Sequence, residues 1–345
     1  MFPGVATALA LRQRGHDVTL WMSGKAIETA TRHAWDGPVV SIGAEGLSMH
    51  PLRLPRSLLT LRRVYVTSLR TLREHPPHAL LAMGSYSSVG PVLAARRLGI
   101  PVILHDANVI PGKAITLLSR FATAIAISFP ETRNHLKHRR ICLTGLPIRK
   151  VMEEAAADTP DAAPLPYTVL TMGGSQGAQH LNETVPVALG LLRQSGLTIE
   201  AIHLSGEKAR DAVETAYRAA GVPATVHGFC RDMVSAYQRS AVAVSRSGAN
   251  SCLELALFGI PAILVPYPHS ARDHQRANAR AMAEVGAALL MEQAGMTAES
   301  LAVQLRSLAE NTARQQAMRT AARARAITGA DKALADLVEE VAAGR

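Results

Sequence analysis

The chain has 345 residues, more than one ordinary hydrophobic core accommodates, and 48% of them are apolar with 4% aromatic; this excludes a disordered chain and favours a helix-rich α/β protein of two domains. Its 37 Lys and Arg against 27 Asp and Glu leave a net charge of +10, a bias toward anionic partners that leaves nucleotides, anionic lipids and nucleic acid all open. Cys142, Cys230 and Cys252 are too far apart and too few for a disulfide framework or a zinc site, and no apolar run reaches the roughly 18 residues of a spanning helix, so a soluble or peripheral protein of a reducing cytosol is expected.

In chain order, Phe2-Pro3-Gly4 starts a helical pattern that ends at Gly15, and Val18 to Met22 follows as a short strand. An α/β chain places a strand before such a helix, so a first strand is expected ahead of Phe2 and counts as missing. Residues 51 to 75 interleave Leu58, Leu59, Leu61, Val64, Tyr65 and Leu69 with Arg53, Arg56, Arg62, Arg63, Arg70 and Arg73. Such an amphipathic, basic stretch fits a helix packed on a sheet, a membrane-surface element, or both.

Strands are expected at Ala79–Met83, Pro101–His105, Ile125–Ser128 and Ile141–Thr144, with helices between them, and Gly145-Leu146-Pro147 closes the first half. The Ala-, Asp- and Pro-rich stretch from Glu153 to Pro166 reads as a linker, giving domains 1–150 and 167–345 around residues 151–166. Strands Tyr167–Met172, Ile199–Leu204, Ala224–His227, Val242–Ser245 and Ala262–Pro266 then alternate with helices such as Glu207–Ala220 and Asn250–Phe258. That order predicts two doubly wound parallel sheets with ligands at the carboxyl ends of their strands, facing a shared cleft.

Three motifs of the second half sit at such ends. Gly173-Gly174-Ser175-Gln176-Gly177 follows a strand and opens a helix, so backbone amides, the positive helix end and the Ser175 hydroxyl converge where an anion would sit; it matches neither a Walker loop nor a dinucleotide fingerprint. Such glycines also occur merely to permit positive φ. Ser245 to Glu254 repeats the strand, small-residue turn and helix, with Glu254 placed to accept two ribose hydroxyls or simply to complement the helix dipole. Pro266-Tyr267-Pro268-His269 leads into a helix on which Gln275 and Asn278 share a face, and their carboxamides suit sugar hydroxyls. Asp273 and His274 admit a metal or an acid–base reading, with helix capping by Asp273 as the ordinary role; no metal is expected. In the first half, His105 ends a strand beside Asp106 and Asn108 and reads as a base, an orienter of an acceptor hydroxyl or a structural histidine.

Taken in order, Gly84-Ser85-Tyr86, His105-Asp106-Ala107-Asn108, Gly145-Leu146-Pro147-Ile148-Arg149, Gly173 to Ala178, Ser245 to Glu254 and His269 to Asn278 resemble the MurG family, UDP-N-acetylglucosamine transferases that convert lipid I to lipid II in peptidoglycan synthesis. The resemblance implies a GT-B fold of two Rossmann-like domains: an acceptor and membrane-side domain, and a UDP-sugar domain whose last helix packs back on the first. It further implies an inverting transfer without nicotinamide, other cofactor or obligatory metal, to an undecaprenyl-diphosphate-linked muramyl-pentapeptide, at an anionic membrane surface on the cytoplasmic face of the bacterial inner membrane. By matching position, Ser175 and Gln176 fall on the diphosphate turn and Arg149 on a donor-side contact. Cys230 in Gly228-Phe229-Cys230 reads uracil through its backbone, and Ala249, Asn250, Ser251 and Glu254 form the nucleotide-binding helix start, with Glu254 on the ribose. Gln275 and Asn278 lie on the sugar side, and His105, Asp106 and Asn108 on the acceptor loop, where Asn108 also touches the donor.

Family members carry a strand and a Gly-Gly-Thr-Gly-Gly-His loop directly before the Phe-Pro-Gly found here at Phe2, and that loop supplies the favoured base, so weak or absent activity is expected of the 345-residue form. Ser85 replaces a glycine, Asp106 a glutamate, Ala107 a glutamine and Leu146 an asparagine. A glycolipid sugar transferase and a UDP-sugar-binding protein without turnover remain as alternatives. Nucleic-acid binding is disfavoured because the basic residues are not interleaved with aromatics.

Overall fold

In the computed structural model, which describes residues 2–23, 35–43, 54–159, 166–174 and 178–344, the chain divides into two units, Met1–Lys150 with Ile327–Arg345, and Val151–Ala326. The first opens on α1 (Phe2–Gln13), where Pro3 occupies a first-turn position that needs no backbone N–H and Gly15 ends the run at φ +87°. A parallel pair follows, β1 (Leu20–Met22) with β2 (Val39–Ser41), Leu20 opposite Val39. In α2 (Leu54–Glu74), Val64, Ser68 and Leu72 form a buried stripe at helical spacing, while Leu58, Leu59 and Val66 stand exposed among Arg62, Arg63 and Arg70.

β3 (Leu80–Ala82), α3 (Val89–Arg97), β4 (Val102–Asp106), α4 (Lys113–Leu118), β5 (Ala124–Ile127) and β6 (Ile141–Leu143) build a parallel sheet in the order β3-β4-β5-β6. The two-residue period of β4 sorts its side chains: Val102 and Leu104 join Leu72, Val92 and Ile115 on one face, and Ile103 joins Leu334, Leu337 and Val341 of the C-terminal helix Ala330–Ala342 on the other. With helices on both faces, β4 and β5 are buried throughout; β5 reads as a continuous apolar run and β4 as one up to Leu104, before His105 and Asp106. Arg14 at the end of α1 pairs with Asp336 at 2.6 Å and Glu339 at 2.8 Å on that C-terminal helix.

The second unit begins inside α5 (Lys150–Ala157), whose first residue closes the first unit, then β7 (Tyr167–Met172), α6 (Gln179–Gln194), β8 (Ile199–Leu204), α7 (Arg210–Ala219), β9 (Ala224–His227) and α8 (Met233–Gln238). It continues through β10 (Val242–Ser245), α9 (Ala249–Leu257), β11 (Ala262–Leu264), α10 (His274–Glu284), β12 (Ala288–Leu290), α11 (Ala298–Glu310) and α12 (Thr312–Arg325). Its six parallel strands run β12-β11-β10-β7-β8-β9, so the chain starts mid-sheet, builds outward, and returns to the other side of β7. The switch point therefore lies between β7 and β10, whose last residues Met172 and Ser245 are paired. Leu181, Val185 and Leu189 of α6 and Leu301, Leu305 and Leu308 of α11 enter one core cluster with β7 and β10.

The stretch expected as a linker is helical in its first half. α5 covers Lys150–Ala157 with Met152 and Ala156, four residues apart, buried, and the Thr159 carbonyl accepts from Arg323 at 2.8 Å. Alanine favours helix, and the prolines fall only at Pro160, Pro164 and Pro166; averaging the composition over the stretch concealed that division. Residues 160–165 lie outside the described residues. The helix expected over Glu207–Ala220 is divided into a 3-10 turn, Glu207–Ala209, and α7.

Candidate functional site

β7 and β10 each run into a glycine-bearing turn and a helix whose first residue lacks a capping side chain. Gly173 and Gly174 follow β7, Gly174 at φ +86°, and α6 opens behind Ala178 with no side-chain cap. Ser175, Gln176 and Gly177, the centre of the expected anion site, lie outside the described residues. β10 passes through Arg246 and Ser247 to Gly248, which precedes α9 equally without a cap. Ser, Thr, Asp or Asn at such a position adds about 1 kcal/mol of helix stability by taking an orphan amide. The starts of α3, α4, α7 and α10 also lack such a cap; what sets α6 and α9 apart is their place at the ends of the two adjacent central strands, where the positive helix ends favour an anion.

Around that point Glu254, half-buried in the second turn of α9, accepts a hydrogen bond from the Tyr237 hydroxyl at 2.7 Å through Oε2. Asn250 is exposed, Ser251 half-buried and Ala249 buried. Cys230 packs inward, its thiol donating to the Asp232 carbonyl at 3.3 Å, while Phe229 beside it is 61% exposed. Burial raises the Cys230 pKa and so keeps the thiol protonated.

The two carboxamides on α10 have separate tasks. Gln275 accepts from the Tyr267 amide at 2.9 Å through Oε1 and stays half-buried. Asn278 is fully buried and donates to the Ser247 carbonyl at 3.0 Å, which fastens α10 to the β10 turn. The shared sugar-facing pair expected from sequence is thus corrected: the first turn of α10 meets the Tyr267 loop, and one turn further the helix is in the core. Asp273 makes no capping bond either. It and Arg272 both sit at φ 56°, a conformation in which its carboxylate faces Arg276 at 3.4 Å. Two consecutive left-handed non-glycine residues cost on the order of 1–3 kcal/mol each, and such strain gathers in functional loops.

Arg246 lies within the Ser245 to Glu254 motif, whose sequence pattern gives it no role. Only 8% exposed, its guanidinium donates to the carbonyls of Val265 and Pro266 at 3.2 and 3.1 Å and to Gln293 Oε1 at 2.6 Å, and lies 5.6 Å from the Tyr267 ring centroid. Desolvation lowers its pKa, yet guanidinium remains charged. The available signal was a lone cation in a turn of small residues directly after a buried strand.

In the first unit, the candidates again lie at strand ends. His105 is 2% exposed, its Nε2 is 3.1 Å from the Gly145 carbonyl and 3.3 Å from Ser128 Oγ, and burial pushes it down to about 4. A neutral ring whose Nε2–H faces a carbonyl ties β4 to the turn after β6, so the expectation of a presented base meets an enclosed imidazole. Asp106 is 4% exposed; Oδ1 accepts from the Asn108 amide at 2.9 Å and Oδ2 from the Gly112 amide at 2.8 Å. The short carboxylate folds the loop it stands in, a reach that suits Asp. Asn108 is half-buried, with Thr132 Oγ1 on its carbonyl at 2.9 Å, and Arg149 is exposed after buried Leu146 and Ile148. Among the described residues no group of three His, Cys, Asp or Glu side chains could hold a metal ion.

Residues 1–127 match the glycosyltransferase family 28 N-terminal domain and residues 168–340 the family 28 C-terminal domain. The UDP-N-acetylglucosamine--N-acetylmuramyl-(pentapeptide) pyrophosphoryl-undecaprenol N-acetylglucosamine transferase of Anaeromyxobacter sp. (strain Fw109-5) is 34% identical over 344 residues, 99% of this chain and 90% of the relative. The enzyme of the same name from Rhodospirillum centenum is 36% identical, covering 98% of this chain and 90% of the relative. The crystal structure of MurG from Acinetobacter baumannii superposes with a TM-score of 0.80 at 28% identity, covering 98% of this chain and 95% of that one. Two Rossmann-like units with parallel sheets make this a GT-B fold. The chain belongs to the MurG family, the UDP-N-acetylglucosamine--N-acetylmuramyl-(pentapeptide) pyrophosphoryl-undecaprenol N-acetylglucosamine transferases.

Proposed function

We propose that this chain transfers N-acetylglucosamine from UDP-N-acetylglucosamine to the muramyl 4-hydroxyl of lipid I, giving lipid II. The observation that carries the reading is the pair of uncapped helix starts on adjacent strands β7 and β10, with Glu254 one turn into the second. In this reading the diphosphate lies against the α6 start with Ser175 and Gln176, and Glu254 holds the ribose beside Ala249, Asn250 and Ser251. The backbone at Cys230 meets the uracil, Gln275 the sugar hydroxyls, and Arg149 the donor side. The acceptor oxygen attacks the anomeric carbon from the face opposite the diphosphate, the bond to the diphosphate oxygen breaks with inversion, UDP leaves, and the hydroxyl proton passes to a base. Charge grows on the departing diphosphate, where amides and a helix end already point; removing one such donor typically costs 100- to 1,000-fold in rate. His105 and Asp106 act here by shaping the loop that presents Asn108 to the acceptor.

The acceptor is a membrane lipid, and no described helix is long and apolar enough to cross a membrane. The exposed Leu58, Leu59 and Val66 among the arginines of α2 support peripheral docking on an anionic membrane surface at its cytoplasmic face. Incubation with radiolabelled UDP-N-acetylglucosamine and a lipid I analogue tests the proposal. A β-linked disaccharide lipid is expected; free N-acetylglucosamine alone, or transfer only to diacylglycerol, would overturn it.

A further inference from the structure

Tyr237 lies outside every motif discussed so far, yet it ends on one of them. Its ring is 1% exposed and clamped against fully buried Phe258, with centroids 4.9 Å apart. A buried phenol must place its hydroxyl on a partner. This one donates to Glu254 Oε2 at 2.7 Å, with the sulfur of Met172, the last residue of β7, 3.7 Å away. One phenol thus lies between the end of β7 and the second turn of α9, the two elements that carry the glycine turn and the nucleotide helix.

The residue's own element adds a link. α8 is capped by Asp232, whose Oδ1 accepts from the Ser235 amide at 3.0 Å, and the Asp232 carbonyl receives the Cys230 thiol. This single helical turn and a half therefore joins the Gly228-Phe229-Cys230 segment at one end to the Glu254 carboxylate at the other. A glutamate on a helix has three side-chain torsions to fix when a ligand arrives, typically at roughly a 2- to 12-fold loss of affinity. A short bond from a buried ring packed on Phe258 restricts them beforehand.

We infer that Tyr237 is a positioning residue that sets the Glu254 carboxylate for the ribose hydroxyls of the donor nucleotide and holds it in register with the segment that meets the base. The inference rests on the ribose reading of Glu254. Tyr237→Phe keeps the ring and its stack on Phe258 and removes one oxygen. Titration calorimetry with UDP and with 2′,3′-dideoxy-UDP, alongside steady-state kinetics and thermal melting, separates the outcomes. Wild type should prefer UDP, and Tyr237→Phe should narrow that preference about 3- to 10-fold and raise KM for UDP-N-acetylglucosamine similarly, with kcat within twofold and acceptor KM unchanged. Glu254→Ala should abolish the preference, and adding Tyr237→Phe to it should then change nothing further, because the phenol acts through the carboxylate. Equal weakening of both nucleotides by Tyr237→Phe, or additive effects in the double variant, would overturn the positioning role. If Glu254→Ala keeps the full preference for UDP, the ribose reading itself falls; if Glu254→Ala loses it while Tyr237→Phe retains it, only the role of Tyr237 falls.

Discussion

Two imidazoles, His105 at the end of β4 and His203 within β8, are closed into separate sheets, and desolvation pushes the first down to about 4 and the second to about 3. Both rings stay neutral in the folded chain well below pH 6.5, whereas unfolded histidines take up protons near that value. Above pH 6.5 neither state binds the proton and nothing changes; as pH falls through 6.5 the unfolded state alone gains it, and stability declines until the folded pKa is reached. Between pH 7 and pH 5 each unit should lose roughly 2 kcal/mol from its histidine, a loss that denaturant titration at the two values would detect. Equal midpoints would show that the rings are hydrated. The hydrogen bonds also fix the His203 tautomer. Asn182 Nδ2 donates to the Ser205 carbonyl, so its Oδ1 accepts from His203 Nε2–H at 2.9 Å, and Nδ1 accepts from the Tyr217 hydroxyl at 2.9 Å. Tyr217→Phe deprives that nitrogen of its donor and is expected to cost about 1–3 kcal/mol in the second unit.

The elements best legible in the sequence were the buried central strands. Tyr167–Met172, Ile199–Leu204, Ala224–His227 and Val242–Ser245 fall on the expected residues, since each is an apolar or alternating run cut off sharply by Gly, Pro or a small-residue turn. The three-residue strands Val39–Ser41 and Ala288–Leu290 are too short to show any period, and only their neighbours make them strands. α5 was hidden by the prolines that follow it, which gives a direct test of what it is. Met152 is fully buried, so Met152→Ala leaves a cavity and is expected to destabilise the second unit by about 2–5 kcal/mol, read as a lower melting temperature. A residue in a solvated linker would show no change. The candidate site was legible where small residues broke a pattern, as at Gly173 and Gly248. It was illegible where a bulky residue reaches in from elsewhere: Tyr237 belongs to α8, and Arg246 earns its place only through carbonyls some twenty residues away.

At the scale of the whole chain, a net charge of +10 attracts any anionic surface, but it cannot by itself orient the protein there. In the proposed docking, α2 would supply the missing asymmetry. One stripe of it packs inward, with Val64 lying so close to α3 that a side chain at Gly90 would meet it at 2.7 Å, and this fixes which stripe is left outside. On that outer side Leu58 and Leu59 are 56% and 67% exposed, with exposed Arg62 and Arg63 one turn along and Arg70 further down the helix. Lipid headgroups near a basic residue contribute about 1 kcal/mol each and are screened by salt, whereas buried leucine is not. The two contributions should therefore separate in a vesicle experiment. Sedimentation with phosphatidylglycerol-containing vesicles should weaken with rising salt yet leave a residual fraction bound, and Leu58→Asp with Leu59→Asp should remove that fraction while preserving the melting temperature, because both side chains already face solvent. Binding that vanishes completely in salt with the leucines intact would mean that charge alone brings the protein to the membrane, and that α2 is no more than a packing helix with an incidental apolar edge.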